Sequence, residues 1–157
     1  MHSKVTNIVI AGVGGQGVLK ASDIVADVAF AAGFEVKKAE VHGMSQRGGS
    51  VSSDVRFGTE VFSPMVPEGE ADFLVVLEPD QVTVNAAKLK QDGVLIEPSQ
   101  IDRSRLPNDK CLNVALLGVL SRHLDLGREA WLAAIKRNLP EKLRELNLQA
   151  FAVGNEL

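Results

Sequence analysis

The strongest constraint on the fold is an apolar run that ends in a cluster of glycines. Residues 7–13 read Asn-Ile-Val-Ile-Ala-Gly-Val, and four glycines fall within six residues at the end of this run. Gly12, Gly14 and Gly17 fit the pattern G-x-G-x-x-G, which predicts a buried strand, a tight turn and a helix. At Gly14 we expect positive φ or a close approach of the backbone to a ligand or another chain. The helix is predicted to begin near Gln16, so its positive dipole end would face an anion above the strand tips.

Charge and composition argue against two classes of partner. The formal net charge is −3 and the basic residues are scattered, which disfavours a nucleic-acid surface and a polybasic membrane anchor. No apolar run reaches the roughly 18 residues that suggest a membrane-spanning helix, and no secretory signal precedes the first strand. A cytoplasmic protein with no membrane or nucleic-acid partner is therefore expected. The single cysteine, Cys111, cannot hold an iron–sulfur cluster, which needs several thiolates, so any redox centre must belong to another chain.

The residues after the glycine turn predict a βαβ unit. Apolar positions at helical spacing from Val18 to Ala32 indicate a crossover helix that is closed by Gly33. Residues 34–41 predict a second strand, which we expect to pair in parallel with the first. Glu40 lies near the end of this strand, where an acid binds ribose hydroxyls in nicotinamide-binding units. It comes later than the usual spacing of about 20 residues, which weakens the dinucleotide interpretation.

A second informative stretch, residues 42–50, follows this strand and reads His-Gly-Met-Ser-Gln-Arg-Gly-Gly-Ser. A loop at the carboxyl edge of a parallel sheet lies where such sheets bind ligands, and Arg47 with Ser45 and Ser50 can hold phosphate or carboxylate oxygens. The alternative is a glycine-rich surface turn with a solvated arginine. We favour a functional or interface role for the loop. For His42 alone, a structural hydrogen-bonding role is favoured over that of a catalytic base.

The middle of the chain predicts further strands. Alternation over residues 51–57, followed by a turn and the apolar pair 61–62, predicts a hairpin. Met65 and Val66 come next in a proline-restricted segment and would be exposed unless a partner chain or their own domain covers them. Residues 71–77 predict a buried strand.

The chain is then predicted to form a helix through Lys90, a turn at Asp92-Gly93 and a short strand at 94–96, which gives a sheet of about six strands. The C-terminal part predicts helices over residues 113–124 and 128–139, with Trp131 as a packing residue. The predicted class is α/β: one three-layer, Rossmann-like domain over residues 1–157 with a mostly parallel sheet, a hairpin and C-terminal helices. No Ser/His/Asp set, paired-carboxylate site or metal-ligand spacing stands out in the sequence, so no metal ligand is predicted.

Four stretches together resemble one known family. They are the glycine turn at 12–17, residues 40–51, the pair Ser63-Pro64 and the helix at 113–121. The combination resembles the gamma subunits or domains of 2-oxoacid:ferredoxin oxidoreductases, which act on pyruvate, ketoisovalerate or indolepyruvate. Within that family it looks most like the small beta subunits of the indolepyruvate enzymes. The resemblance runs nearly end to end, although the connection at 98–110 looks shorter than in the family, which puts in doubt any partner or coenzyme A contact made by the missing length.

The resemblance implies a subunit, inactive alone, of an enzyme that decarboxylates a 2-oxoacid such as indolepyruvate on thiamine diphosphate. Two electrons then pass through iron–sulfur clusters to ferredoxin, and an acyl-coenzyme A is released. Thiamine diphosphate, Mg²⁺ and the clusters would belong to one or more partner subunits, with coenzyme A as cosubstrate and no cofactor held by this chain alone.

The candidate residues would shape the active-site wall and the subunit contact, and no proton transfer is assigned to any of them. Catalytic candidates are His42 and Arg47. Candidates for cofactor binding or an interface are Gly12, Gly14, Gly15, Gln16, Gly17, Glu40, Ser45, Gln46, Arg47, Gly48 and Ser50.

Two other function classes stay open from the residues alone. A nicotinamide- or flavin-binding Rossmann domain is favoured by the glycine pattern and Glu40, but the Gln16 side chain would crowd the approach of a pyrophosphate. A non-catalytic assembly module is compatible with a sequence in which no catalytic set stands out.

Overall fold

A computed structural model describes residues 4–42 and 49–156, which are built around a five-stranded sheet. The strands are β1 (Val5–Val13), β2 (Glu35–His42), β3 (Ser50–Gly58), β4 (Ala71–Val76) and β5 (Leu89–Ile96). Their order across the sheet is β2-β3-β1-β4-β5. β3 runs antiparallel to both of its neighbours, whereas β4 is parallel to β1 and to β5. The sheet is therefore mixed, with β3 opposed to the common direction of the other strands.

Helices cover both faces of this sheet. They are α1 (Val18–Ala31), α2 (Asp80–Asn85), α3 (Leu112–Ser121), α4 (Arg128–Asn138) and α5 (Glu141–Asn155). On one face α1 packs on β1, β2 and β3 while α3 packs on β4 and β5, and α4 and α5 lie outside α1 and α3. On the other face Val82 of α2 packs against a small core around Val9 and Leu74. The predicted layered α/β class with C-terminal helices is confirmed.

The predicted pairing of β2 with β1 is wrong, because β3 lies between them. The chain turns back after β2, and β3 pairs antiparallel with it from Glu35 opposite Gly58 to His42 opposite Val51. A short connection can join antiparallel neighbours, whereas parallel neighbours need a crossover. The hairpin consequently joins β2 to β3, and the pair at residues 61–62, which was predicted as its second strand, is not in a strand.

The predicted helix through Lys90 is also wrong. α2 ends at Asn85, a short 3-10 turn follows, and Lys90 and Asp92-Gly93 lie inside β5. The Lys90 ammonium lies 2.9 Å from the Asp72 carboxylate on β4, and the pairing of the two strands shifts register between Ala71 and Phe73. The sequence signals of a helix end and a turn therefore belong to an irregular strand, and the described sheet has five strands where about six were predicted.

The C-terminal helices pack tightly because α3 is apolar on nearly every side. Every residue from Leu112 to Leu120 is buried. Gly118 faces the backbone of α5 and Gly154 faces the backbone of α3, so that a Cβ atom on either glycine would overlap a carbonyl oxygen of the opposite helix. Trp131 is 1% exposed and its ring lies 5.9 Å from that of Phe151, which confirms its predicted packing role. None of the helices in the described ranges combines the length and the apolarity needed to cross a bilayer.

We predict that Gly154→Ala destabilises the protein by about 1–3 kcal/mol, because the added methyl group forces α3 and α5 apart. The new Cβ would overlap the Ala115 carbonyl oxygen and lie 2.9 Å from the Val119 nitrogen. Chemical denaturation measures the change. Gly14→Ala is the matched control, since its φ is not positive and no atom of the described chain lies within 4 Å of an added Cβ. Equal midpoints for the two variants would contradict the close helix contact.

The link between α1 and α4 predicts a pH-dependent stability. The Asp27 carboxylate accepts hydrogen bonds from the Arg137 guanidinium at 2.8 and 3.1 Å and from the Asn138 amide at 2.8 Å. The hydrogen bond from Arg137 is the main reason that the pKa of Asp27 is lowered from its ordinary 3.8. A lowered pKa stabilises the fold above the ordinary pKa, and this contribution is lost as the pH falls through the folded-state pKa.

Asp27→Asn should therefore cost about 1 kcal/mol at pH 7, a modest value because Arg137 is half exposed. The difference from the parent protein should shrink below pH 4, where the parent loses the same charge. Denaturant unfolding at pH 7 and at pH 2.5 measures it, with Glu68→Gln on an exposed turn as control. A difference that is the same at both pH values would contradict the assignment.

Candidate functional site

The glycine turn lies where β1 and β4 end and α1 begins. The Ala11 carbonyl accepts a hydrogen bond of 2.8 Å from the Leu77 N–H, which ties the two strand ends together. Gly15 and Gly17 have φ of 86° and 84°, the left-handed region that favours glycine. Of the two alternatives expected at Gly14, positive φ is not found. α1 begins at Val18, two residues after the predicted Gln16.

The side chain of Gln16 folds back over the turn. Its Oε1 atom accepts a hydrogen bond of 2.8 Å from the Val13 N–H, and its Nε2 atom donates one of 2.9 Å to the Glu78 carboxylate. A Cβ atom on Gly12 would lie only 2.7 Å from Gln16 Oε1 and 3.0 Å from Val18 Cγ2, so a larger residue there would displace the Gln16 carboxamide from its position over the turn. The carboxamide therefore bridges the ends of β1 and β4 and uses the backbone donor of Val13.

Asn113 connects the start of α3 to the same turn. This residue is 8% exposed, and its Nδ2 atom donates a hydrogen bond of 3.2 Å to the Gly17 carbonyl. A Cβ atom on Gly17 would lie 2.5 Å from that Nδ2 atom. Gly17 is consequently restricted twice, by its positive φ and by this contact.

An open cleft of about 400 Å³ lies between the glycine turn and the segment that leads into α3. Its wall consists of Gly15, Gln16, Gly17, Leu77, Arg103, Asp109, Lys110, Leu112 and Asn113. The side chains of Arg103 and Lys110 contribute two cations to this wall, which also contains residues 15–17, directly before α1. Asp109 partly offsets them, since its carboxylate lies 4.0 Å from the Arg103 guanidinium. The free N–H groups at the start of α1 add to a positive environment that suits an anionic ligand.

The two sequence motifs meet at this edge of the sheet. Gly49, at the end of the second loop, accepts a hydrogen bond of 3.2 Å from the Gly14 N–H. Ser50 begins β3 directly opposite Val13 and is half-buried. Ser45, Gln46, Arg47, Gly48 and the side chain of His42 lie outside the described residues, so their roles stay predictions.

Glu40 is not brought to the glycine turn. It is exposed on the outer strand β2, opposite Ser53, and its carboxylate lies 3.8 Å from the Lys38 ammonium. Ser53 is in turn opposite Ile10, so Glu40 lies beside the middle of β1 at a distance of two strand spacings, roughly 10 Å. The position is unlike that of an acid that binds ribose beside a glycine turn.

Titratable groups near the cleft do not form a catalytic set. Burial raises the pKa of the Cys111 thiol, which keeps it neutral and unreactive beside the cleft. Within residues 4–42 and 49–156, no three or more His, Cys, Asp and Glu residues come together in a way that could hold a metal ion. The described residues of the site can therefore bind and position a ligand, and we assign no reaction step to them.

Five polar residues of the site were not among the sequence-based candidates. They are Glu78, Arg103, Asp109, Lys110 and Asn113. Glu78 could have been predicted from the sequence, because it directly follows a predicted buried strand. In α/β folds, ligands bind at the carboxyl ends of the strands. Arg103 and Lys110 lie in a polar connection with no periodicity, and only the fold brings them to the turn.

Comparisons with known proteins agree with this geometry. The profile of the pyruvate ferredoxin/flavodoxin oxidoreductase family matches residues 7–107. Indolepyruvate oxidoreductase subunit IorB of Thermococcus kodakarensis is 35% identical over 94% of this chain and 93% of its own. That alignment spans 188 positions, more than the 157 residues of this chain, so the relative contains internal residues without a counterpart here.

Solved structures extend the likeness to the fold. The gamma subunit of keto/oxoacid ferredoxin oxidoreductase from Geobacter sulfurreducens superposes with a TM-score of 0.82 at 24% identity, covering 98% of this chain and 95% of that one. A 2-oxoglutarate:ferredoxin oxidoreductase from Magnetococcus marinus gives a TM-score of 0.80 at 19% identity, covering 99% of this chain and 32% of that one. The resemblance inferred from the motifs is confirmed. The chain belongs to the pyruvate ferredoxin/flavodoxin oxidoreductase family and has the fold of its gamma subunits.

Proposed function

We propose that this chain is the non-cluster-bearing small subunit of a thiamine-diphosphate-dependent 2-oxoacid:ferredoxin oxidoreductase. It acts as one domain over residues 1–157, in the cytoplasm, within a complex that transfers electrons to ferredoxin. The observation that carries the proposal is the hydrogen bond between Gly14 and Gly49, which joins the two family motifs at one edge of the sheet. Similarity to a curated subunit over 94% of the chain supports the same role.

The substrate that we propose is indolepyruvate or another aryl pyruvate. This rests on the similarity to the indolepyruvate oxidoreductase subunit of Thermococcus kodakarensis. In the reaction the 2-oxoacid loses carbon dioxide, ferredoxin takes up two electrons, and the acyl group is transferred to the thiol of coenzyme A. Thiamine diphosphate with Mg²⁺ supplies the electron sink and iron–sulfur clusters carry the electrons, all on the partner subunit.

The part that this chain plays is to complete the wall of the active site. The glycine turn presents backbone without side chains, and Gln16 and Asn113 hold that backbone in place from two sides. Ser45, Gln46 and Arg47 would extend the wall toward the partner, since the loop that contains them returns beside Gly14. A ligand or partner can therefore approach the turn closely, and no group described here has to exchange a proton.

The cleft beside the turn suits the phosphate-bearing part of coenzyme A. Its volume of about 400 Å³ lies within the usual range of small-molecule sites. Lys110 and Arg103 supply cations, and the start of α1 supplies N–H groups. The related enzyme from Magnetococcus marinus was solved with 2-oxoglutarate, coenzyme A and succinyl-CoA bound.

The nicotinamide- or flavin-binding alternative is disfavoured by two observations. Gln16 already occupies the Val13 donor that a pyrophosphate would approach, and Glu40 lies two strands away from the turn. Titration of the purified chain with NADH tests this alternative, and saturable binding would revive it.

We predict that the purified chain is folded but catalyses no 2-oxoacid oxidation, even with thiamine diphosphate, Mg²⁺ and coenzyme A supplied. The expectation follows from the proposal that a partner holds the redox groups. An anaerobic dye-reduction assay with indolepyruvate, pyruvate and 2-oxoglutarate measures it. Adding the cluster-bearing partner subunit should restore turnover. Dye reduction by the chain alone would contradict the subunit assignment. No dye reduction with any partner and substrate would favour an assembly module.

Lys110→Glu tests the coenzyme A site. In the assembled enzyme we expect the KM for coenzyme A to rise about fivefold or more, equivalent to about 1 kcal/mol for a partly screened charge contact. The KM for the 2-oxoacid should stay within about twofold, because that substrate reacts on the partner. Lys142→Glu, at an exposed position at the start of α5, is the charge-matched control. A rise in both KM values, or the same effect in the control, would contradict the site.

A further inference from the structure

The face of β2 and β3 that points away from α1 borders a group of exposed apolar side chains. We call this face of β2 and β3 the open face. Four large side chains lie on it or at its border, and they are Val41, Phe62, Met65 and Val84, with exposed fractions of 41%, 88%, 53% and 62%. Val41 and Val84 line one cavity, and Phe62 and Met65 lie three residues apart in the segment after β3. Large exposed apolar side chains that are grouped in this way are typical of surfaces that another protein covers.

The segment after β3 is fixed onto the open face by two hydrogen bonds. The Arg56 guanidinium donates one of 2.7 Å to the Ser63 carbonyl, and the Val66 N–H donates one of 2.9 Å to the Asp54 carboxylate. Val66 packs inward on the small core of this side, while Met65 stays exposed. Of the two residues that the sequence left open, Val66 is thus covered by its own domain and Met65 is not.

A shallow cavity connects the outer strand to α2. Its volume is about 170 Å³, and Val41 of β2, Ser52 of β3, and Val84 and Lys88 from the α2 side line it. Side chains at alternate positions of a strand share a face, so Ser52, Asp54 and Arg56 lie in one row. Two pairs of exposed apolar side chains therefore lie near the two ends of this row: Val41 with Val84 beside Ser52, and Phe62 with Met65 in the segment that is bonded to Asp54 and Arg56.

The charges around the open face include two lysines. Lys88 lines the cavity, and Lys37 is on the same side of β2 as Val41 because the two are an even number of residues apart. The acid in the row, Asp54, is buried and already accepts the Val66 N–H. Two acids lie at the border away from Val41: Glu60 is exposed near Phe62 in the sequence, and Glu35 is exposed on the same side of β2 as Lys37. A partner with an apolar centre and carboxylates opposite the two lysines complements this surface.

We infer that the open face is the surface on which the thiamine-binding partner subunit docks. The inference rests on the proposed function and adds the location of the subunit contact. It is supported by continuity with the glycine turn: Ser50 and Val51 line the cavity of the open face and pair directly with Val13 and Gly12. A subunit that reaches the glycine turn from this side would cover the apolar groups with the same approach.

The test compares apolar-to-serine substitutions on and off the open face. Phe62→Ser and Val84→Ser remove exposed apolar groups from it, and Phe30→Ser, 72% exposed on α1, is the matched control on the opposite side. Binding of each purified variant to the immobilised, purified partner subunit is measured by interferometry, after melting curves have shown that the variants remain folded. We expect the Kd to rise at least tenfold for Phe62→Ser and Val84→Ser and to stay within twofold for Phe30→Ser.

Three results would separate the possible failures. If the unmodified chain binds no thiamine-dependent partner, the proposed function itself fails. If it binds the partner and both open-face variants bind equally well, the docking surface is overturned and the function stands. If sedimentation shows that the unmodified chain self-associates, and the same variants abolish this without weakening partner binding, the open face is a contact between two copies and the inference is wrong.

Lys88→Glu should weaken partner binding most at low salt, as expected if carboxylates of the partner face this lysine. An equal effect at low and high salt would contradict that charge contact.

Discussion

Strand β1 is hydrogen-bonded along both edges, to antiparallel β3 and to parallel β4, and the site depends on this placement. Ile8, Val9, Ile10 and Ala11 are fully buried, because helices cover the strand on both faces. A strand held in this way cannot shift its register without moving buried apolar side chains to the wrong face. The turn that follows is therefore presented from a rigid base, which suits a site that works by positioning.

The glycine turn of this protein is already filled by its own side chain. In a dinucleotide-binding domain the backbone donors of such a turn are available to a phosphate, whereas here the Gln16 carboxamide takes the Val13 donor and extends to Glu78. The same fold element thus serves a different purpose. It joins two strand ends into one surface, against which the second motif returns through Gly49. This agrees with the proposed role of a subunit that forms part of the active-site wall.

Local signals predicted local structure well. The apolar run before the glycines, the helical spacing after them and the uniformly apolar α3 are all found at nearly the predicted positions. One error concerns pairing, because the sequence pattern of a strand does not identify the neighbouring strand, and β3 separates β1 from β2. Another concerns a boundary, because the helix predicted through Lys90 ends at Asn85 and Lys90 lies in β5. The same limit applies to the site. Gly12 and Gln16 were recognisable because they are close in sequence, but Asn113 and Lys110 reach the turn only through the packing of α3 against the sheet.

The burial of Trp131 has a consequence for spectroscopy. It is the single tryptophan of a chain that has no tyrosine, so near-ultraviolet emission comes almost entirely from one position. That position is in α4, stacked on Phe151 of α5 and shielded from water. The emission therefore reports on the outer helical layer, and a red shift would indicate that α4 or α5 has separated from the helices beneath. Changes at the glycine turn that leave this layer intact would not alter the Trp131 emission. The emission can therefore be used to check that the protein stays folded during ligand titrations.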